Sequence, residues 1–536
     1  MTDGSLLVRD ARVLAGDELV RADVRIDGER IGELGPVGTL TAPEVLDAGG
    51  RLVLPGFVDA HSHADGAVFA EGVQLALLRQ GVTSIVIGQD GVSYAPGDGA
   101  YAREYFGALL GDHPGYRGGG IAELLAGYDG TSPINVAALA PLGTIRHGVM
   151  GDRADAPTAR ELGAMRDAVA AAMQEGAVGA SSGLDYFPGA HASDAELAAL
   201  LQPVAAVDGV YVTHMRHGYE SQVGIGVAEV AGICREARVR GHVSHLHGPL
   251  PLVRRALAEA SASGVELSFD SYPYARGCTL LAMAVLPAER LSRGPAAALR
   301  WLSTRSAQRW LVEEWLPGLG HRPDVGTDWP ALLTVAGVER AEDAWVTGLT
   351  IRAAAARTGK TPEAFVVRLL AENALNVTAV MAVPSPRPWN VLARIAELPG
   401  HVAGSDGIYI GGAPHPRGWS TFTRFFLRKV VQSGEWSVAE AVEHLSARAA
   451  RRFDLGARGR VARGWTADLV LLDPAALVDA AGYGAPLVSG GVDDVLVGGR
   501  LVLRDGRLTG EHAGRGIRRS RIRTPHDPIE QEPLHV

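Results

Sequence analysis

The sequence predicts an α/β protein: a (β/α)8 barrel, a small β-sandwich domain formed by both chain ends, and an insertion before the eighth barrel strand. Three observations predict it. Apolar strand-like runs alternate with Ala-rich helical stretches through the middle of the chain, the rhythm of βα units around a parallel sheet. Matching sets of short strands punctuated by Asp and Gly sit at the two ends. One apolar run also delivers two histidines, His61 and His63, at strand spacing, as the C-terminal mouth of a barrel would present them.

The N-terminal set includes Leu6–Asp10 and Asp23–Gly28, and the C-terminal set includes Ala467–Asp473 and Val495–Gly506. Pairing of the two sets assigns residues 1–53 and 455–515 to the β-domain and 54–454 to the barrel. Eight candidate barrel strands follow: 54–61, 83–90, 134–141, 179–185, 210–215, 242–247, 265–273 and 401–407. Helical stretches such as Ala159–Val169 separate the first seven. The stretch 287–400 is too long for a plain loop and carries Trp301, Trp310, Trp315, Trp329 and Trp345 with a helical segment at Pro362–Glu372. It reads as an insertion that could overhang the barrel mouth. Residues 516–536 read as a loosely ordered tail.

Composition excludes several classes. The net charge of -9 is modest for 536 residues, and the one basic run, Arg515–Arg523, reads as a solvated tail, so nucleic acid is not an expected partner. Two cysteines, Cys234 and Cys278, can build neither a disulfide framework nor a Cys-rich zinc module, which points to a reducing cytoplasm. Neither a signal-peptide pattern at Met1–Gly4 nor an uninterrupted apolar segment long enough to span a bilayer is present, so a membrane is not expected either. Gly118–Gly120 lacks the spacing and the preceding strand of a dinucleotide-binding loop.

The chemistry sits at the ends of the candidate strands. In Leu54–His63, His61 and His63 project to the same side of one strand and can grip one cation. His214 and His245 each close a separate strand, and imidazole is a favoured ligand for zinc. A lone histidine there is more often structural; two beside the His61–His63 pair make a metal site. His247, two residues past His245, reads as peripheral. Asp406 ends the last strand, where a carboxylate beside a metal stays ionised and can take a proton from water, making it the candidate general base. Its bland alternative is a turn residue before Gly407.

These segments together resemble the amidohydrolase superfamily: the His61–His63 pair after Pro55-Gly56-Phe57-Val58-Asp59, histidines on strands five and six, and Ser405-Asp406-Gly407 on strand eight. Gly183–Ala190, Thr213–Arg216, Asp270–Tyr274 and His415-Pro416-Arg417 followed by Thr421-Phe422 narrow the resemblance to the N-acyl-D-amino-acid deacylases, over roughly residues 5–510. The resemblance implies a small N-acylated substrate carrying a carboxylate, with Arg417 against that carboxylate in the planar bidentate manner of a guanidinium, Cys278 near it, and Tyr272 either polarising the carbonyl or binding the carboxylate.

Two departures from the family pattern stand out. Gly88-Gln89-Asp90-Gly91 replaces the strand-two segment in which the family carries a metal-ligating cysteine, so Asp90 stands in the thiolate's position. A carboxylate also ligates zinc but is a harder donor, which leaves zinc expected and makes Mn or Fe less excluded. Cys278 stands where the family places a serine, which bears on acyl or side-chain preference. The resemblance implies one tight ion on Asp90, His214 and His245; a two-ion site with Asp90 bridging a His61–His63 ion and a His214–His245 ion is also conceivable. The two lysines, Lys360 and Lys429, lie off the candidate barrel strands, which argues against a carboxylated-lysine bridge.

Metal-dependent hydrolysis of N-acyl-D-amino acids is the reading this supports. Its rivals are hydrolysis of a cyclic amide, a D-dipeptide or a natural-product amide on the same fold, and a metal-free barrel that only binds a small molecule. The sequence leaves the oligomeric state open.

Overall fold

In the computed structural model, which describes residues 4–216, 218–321, 325–484 and 486–519, eight parallel strands close into a barrel. They are β1 (Phe57–Asp59), β2 (Val82–Ile87), β3 (Asn135–Ala138, continuing at Ala140–Pro141), β4 (Gly179–Gly183), β5 (Val210–His214), β6 (Arg240–Val243), β7 (Leu267–Ser271) and β8 (His401–Ala403). Register runs through Asp59↔Ile85, Ile87↔Ala138, Ala180↔Ala140, Gly183↔His214, Thr213↔Val243, Val243↔Phe269 and Asp270↔Val402. Closure between β8 and β1 rests on Ala60 N–H donating to the Ala403 carbonyl (3.2 Å) and Asp406 N–H to the His61 carbonyl (2.8 Å). All eight candidate strands are found. With the strands parallel, every C-terminal end opens on the same mouth, which fixes where the chemistry sits.

The first candidate strand is divided. Leu52–Pro55 pairs antiparallel with Leu469–Leu472 in the β-domain, and the barrel begins only at Phe57. Gly56 makes the crossing: its N–H donates to the Asp468 carbonyl (2.8 Å), and a Cβ there would run into Thr83. Strands from both chain ends thus join in one nine-stranded sheet, with an apolar cluster of its own that includes Val13, Val24, Ile31, Val53, Leu469 and Leu496. A second cluster, including Val58, Ala60, Val86, Val212 and Val402, belongs to the barrel strands. Helix Ala159–Gln174 follows the periodicity and is capped by Thr158, whose hydroxyl accepts from Glu161 N–H (3.3 Å) while Glu161 reaches back to Thr158 N–H (2.8 Å).

Two boundaries differ from the sequence expectation. The insertion starts about ten residues before 287, because Gly277–Leu280 is already the edge strand of its three-stranded sheet, with Cys278 opposite Val380. That sheet and helices such as Pro362–Glu372 enclose a separate core with Leu302, Val335, Phe365 and Leu370. The tail does not begin at 516. Gly516–Ile517 pairs in parallel with Val136–Ala137 of β3 and buries Ile517. The physical reason is an open edge: β4 pairs with β3 only at Ala140–Pro141, so the β3 backbone before it needs another partner. Where described, the basic run is both exposed and paired at Arg515, with Glu29, and at Arg518, with Asp129, while Arg519 is half-buried against Asp454. Residues 520–536, including Arg521 and Arg523 of that run, lie outside the described residues. No helix among the described residues is long and apolar enough to cross a membrane.

Candidate active site

Five of the sequence-selected residues converge at the barrel mouth. His61 and His63 follow β1, Asp90 follows β2, His245 follows β6 and Asp406 follows β8. Ligand atoms of His61, Asp90 and His245 lie within 4.8 Å of one another, as do those of His61, His63 and Asp406. His63 Nε2 is 3.2 Å from Asp406 Oδ1 and 3.6 Å from Asp90 Oδ2. His61 Nε2 is 3.7 Å from Asp406 Oδ1 and 4.0 Å from Asp90 Oδ1. Three of these residues, Asp90 (φ 56°), His245 (φ 34°) and Asp406 (φ 48°), hold a left-handed backbone that costs free energy for a non-glycine residue. The chain turns sharply just past the strand ends, which aims the side chains inward.

His214 joins the group from β5 and faces His245. Its Nδ1 lies 3.1 Å from His245 Nε2 and 3.0 Å from the Tyr186 hydroxyl, and its Nε2 is 3.5 Å from Asp185. The cluster the geometry assembles around Asp90 is therefore His61 and His245, with His214 beside His245. His247 sits outside it, its ring stacked on Tyr219 (4.7 Å, 8°) and Nδ1 donating to the His245 carbonyl.

Asp270, which the sequence offered only as part of a motif, organises the group. Completely buried on β7, it takes His61 Nδ1 (3.3 Å) and His242 Nε2 (3.0 Å) on one oxygen and His245 N–H (2.9 Å) on the other. That bond turns His61 Nε2 toward Asp90 and Asp406. Burial alone would lower the His61 pKa, yet the charge of Asp270, with Asp406 and Asp90 behind it, lifts it to about 9. Burial would raise the Asp270 carboxyl, and its histidine partners instead hold it well below the usual carboxylate range. The sequence signal was present: Asp270 and Tyr272 are two apart on one strand and so face the same side.

The residues expected on the substrate side gather around Arg417, which is 1% exposed. Its Nη1 lies 2.6 Å from Asp406 Oδ2, its Nη2 donates to the Cys278 carbonyl (3.1 Å), and its guanidinium lies 4.8 Å from the Tyr272 ring centre. Arg417, Tyr272 and Cys278 thus meet as expected, and Cys278 arrives on the insertion's edge strand. Burial opposes the Asp406 charge, but Arg417 together with His63, His245 and His61 outweighs it and holds the carboxyl below its usual range. Burial pushes the Cys278 thiol up to about 11, so it stays neutral. The insertion is tied to the barrel by Arg387, which clasps Glu220 with two 2.7 Å bonds. Lys429 is held by Glu397 and Glu435 and Lys360 is exposed, so neither supplies a bridging group.

Among the described residues, two buried polar atoms of the cluster, His61 Nε2 and Asp90 Oδ1, have no hydrogen-bond partner. Buried imidazole and carboxylate atoms left unsatisfied are costly, and a cation held among them offsets that cost. The donor set of imidazoles and carboxylates suits zinc.

The profile of the amidohydrolase family matches residues 44–280. D-aminoacylase of Alcaligenes xylosoxydans xylosoxydans is 30% identical, covering 95% of this chain and 97% of its own, and the N-acyl-D-glutamate deacylase of the same organism is 33% identical over 90% of each chain. The chain belongs to the N-acyl-D-amino-acid deacylase family of amidohydrolases. The fold agrees: the crystal structure of N-acyl-D-glutamate deacylase from Bordetella bronchiseptica, complexed with zinc and a phosphonate inhibitor that mimics the tetrahedral intermediate, superposes with a TM-score of 0.79 at 29% identity, covering 96% of this chain and 99% of that one. As a member of this deacylase family the chain is an enzyme of the metal-dependent hydrolase class, and zinc, as one ion or two, is consistent with its donor set.

Proposed function

We propose that the chain hydrolyses the amide bond of N-acyl-D-amino acids. The observation that carries this reading is the 2.6 Å Asp406–Arg417 pair. A guanidinium that receives the substrate carboxylate sits directly against the carboxylate that handles protons. In an N-acyl amino acid the carboxylate carbon and the amide carbonyl carbon are three bonds apart, each about 1.3–1.5 Å. A substrate held on Arg417 therefore has its scissile bond beside Asp406.

His61, His63, Asp90, His214 and His245 are the residues that would hold zinc, with Asp90 between the His61–His63 side and the His245–His214 side. When bound, the ion polarises the amide carbonyl and acidifies water. Asp406 accepts the proton of the attacking water and returns it to the departing nitrogen. Arg417 and Tyr272 fix the substrate carboxylate, and Arg417 keeps Asp406 ionised until the substrate arrives. Asp270 holds His61 in the orientation the site needs. The buried thiols of Cys234 and Cys278, both free, support a reducing, cytoplasmic setting.

The test is a panel of N-acetyl-D- and N-acetyl-L-amino acids, with metal quantified before and after chelation. Release of D-amino acids that stops on chelation and returns with zinc is expected. Full turnover by rigorously metal-free protein, or cleavage of cyclic amides with no action on the D-panel, refutes the reading.

A further inference from the structure

Around the substrate side of the mouth, three arginines are neutralised by carboxylates. Arg417 pairs with Asp406 (2.6 Å), Arg424 with Asp479 (2.6 Å) and Arg387 with Glu220 (2.7 Å). Arg276 is different. It lies in the segment between Tyr272 and Cys278, is half-buried, and makes neither an ion pair nor a side-chain hydrogen bond among the described residues. Its guanidinium instead rests 4.2 Å above the ring of Tyr483, which comes from the β-domain connection between the strands Leu469–Leu472 and Val492–Val497. Cation–π contact covers one face of the guanidinium and leaves its N–H edge without an acceptor.

The position of that edge is bounded by its neighbours. The Tyr483 ring lies 5.1 Å from the ring of His415, which in turn lies 6.2 Å from Tyr272 and accepts the Arg417 backbone N–H (3.0 Å). Arg276, Arg424 and Arg417 all act electrostatically on Tyr483. Arg276 and Arg417 both act electrostatically on His415, one paired with the candidate base and the other with no counter-charge among the described residues. In aspartate and glutamate the two carboxyl carbons are separated by three or four bonds of about 1.5 Å, so a substrate whose first carboxylate sits on Arg417 carries its second toward another cation nearby.

We propose that Arg276, braced on Tyr483, receives a second carboxylate, the one on the amino-acid side chain, so that the enzyme prefers N-acyl-D-amino acids with acidic side chains. This rests on the deacylase reading given above. Arg276 takes no part in bond cleavage; it selects between substrates by offering a donor edge that only an anionic side chain satisfies, whereas an uncharged isostere leaves the guanidinium unpaired. The β-domain enters the specificity of the barrel site through Tyr483, which fixes the guanidinium plane.

The experiment compares kcat/KM for N-acetyl-D-glutamate against N-acetyl-D-glutamine, in the zinc-loaded protein and in R276Q and R276K. Both substrates are read on the same preparation, so the ratio is independent of the fraction folded. The parent is expected to favour the glutamate substrate by about tenfold or more, R276Q to bring the ratio near one, and R276K to retain part of it. An arm with N-succinyl-D-leucine against N-acetyl-D-leucine tests the acyl side; a ratio there that depends on Arg276, in place of the glutamate ratio, overturns the assignment. A parent ratio near or below one, or a ratio that R276Q leaves unaltered, also overturns it while the deacylase reading stands. Failure to cleave any N-acyl-D-amino acid removes both.

Discussion

Replacing Asp270 by Asn tests the proposal that the metal site is built from behind as well as from its own ligands. Asp270 is fully buried and serves three donors, His61 Nδ1 at 3.3 Å, His242 Nε2 at 3.0 Å and His245 N–H at 2.9 Å. An amide keeps one acceptor oxygen for the His245 backbone but turns an NH2 toward the oxygen position that the two imidazoles share. At least one imidazole bond is then lost. A hydrogen bond to a charged group contributes about 1.5–3 kcal/mol, and removing a carboxylate behind a ligating histidine weakens metal binding by about 10–100-fold, which is about 1.4–2.7 kcal/mol. The two routes give the same scale, so D270N should bind zinc about 10–100-fold more weakly. The assay is competition with a chelator of known affinity, with thermal unfolding of the metal-free proteins as a control for the fold. An affinity within about threefold of the parent, in a variant that unfolds like the parent, would show that Asp270 does not orient His61 and that the site needs only its direct donors.

The other expectations can be checked on the same preparations. D406N should keep the ion held about Asp90 and His245 while turnover falls by about 100-fold or more; a variant retaining most of its activity reassigns the base. D90A should lose bound metal and D90C should regain it with a stronger zinc preference, because the thiolate is the softer donor; undiminished affinity in D90A removes Asp90 from the ligand set. A third concerns pH. His401 Nδ1 and His444 Nδ1 meet at 2.8 Å, and burial, with the cations Arg448 and Lys429 nearby, lowers His401 well below its ordinary value and His444 to about 3. Both groups have depressed pKa values in the folded state, so the unfolded chain binds more protons once the pH falls below about 6.5. Their contribution to stability is complete above that pH and is lost as pH falls toward about 3, at up to about 1.4 kcal/mol per pH unit for each histidine. Denaturant midpoints at pH 7, 6 and 5 should fall accordingly, and H444N should show a shallower decline; equal slopes in parent and variant discard the account.

The barrel and the residues at its mouth were legible in the sequence because both are written in local patterns. Strand-like runs alternating with helical stretches mark β1 to β8, and a polar group at the end of a parallel strand has one place to go, which is why His61, His63, Asp90, His245 and Asp406 stand out together in the sequence. What the sequence could not show depends on contacts between distant segments. That His214 turns toward Asp185 and Tyr186 is decided by packing among β4, β5 and β6. The role of Asp270 needs donors from two other strands or their extensions, His61 past β1 and His242 and His245 on and past β6. Gly516–Ile517 becomes a strand because the β3 backbone has an unfilled edge, and nothing in the local sequence announces that vacancy. Cys278 belongs to the insertion only through its pairing with Val380. Tyr483, more than 200 residues from Arg276 along the chain, reaches it only because the two ends of the chain share one sheet beside the barrel. Local periodicity determines which elements form and which way their side chains point; free backbone edges, buried charges and close packing determine which partners those side chains meet.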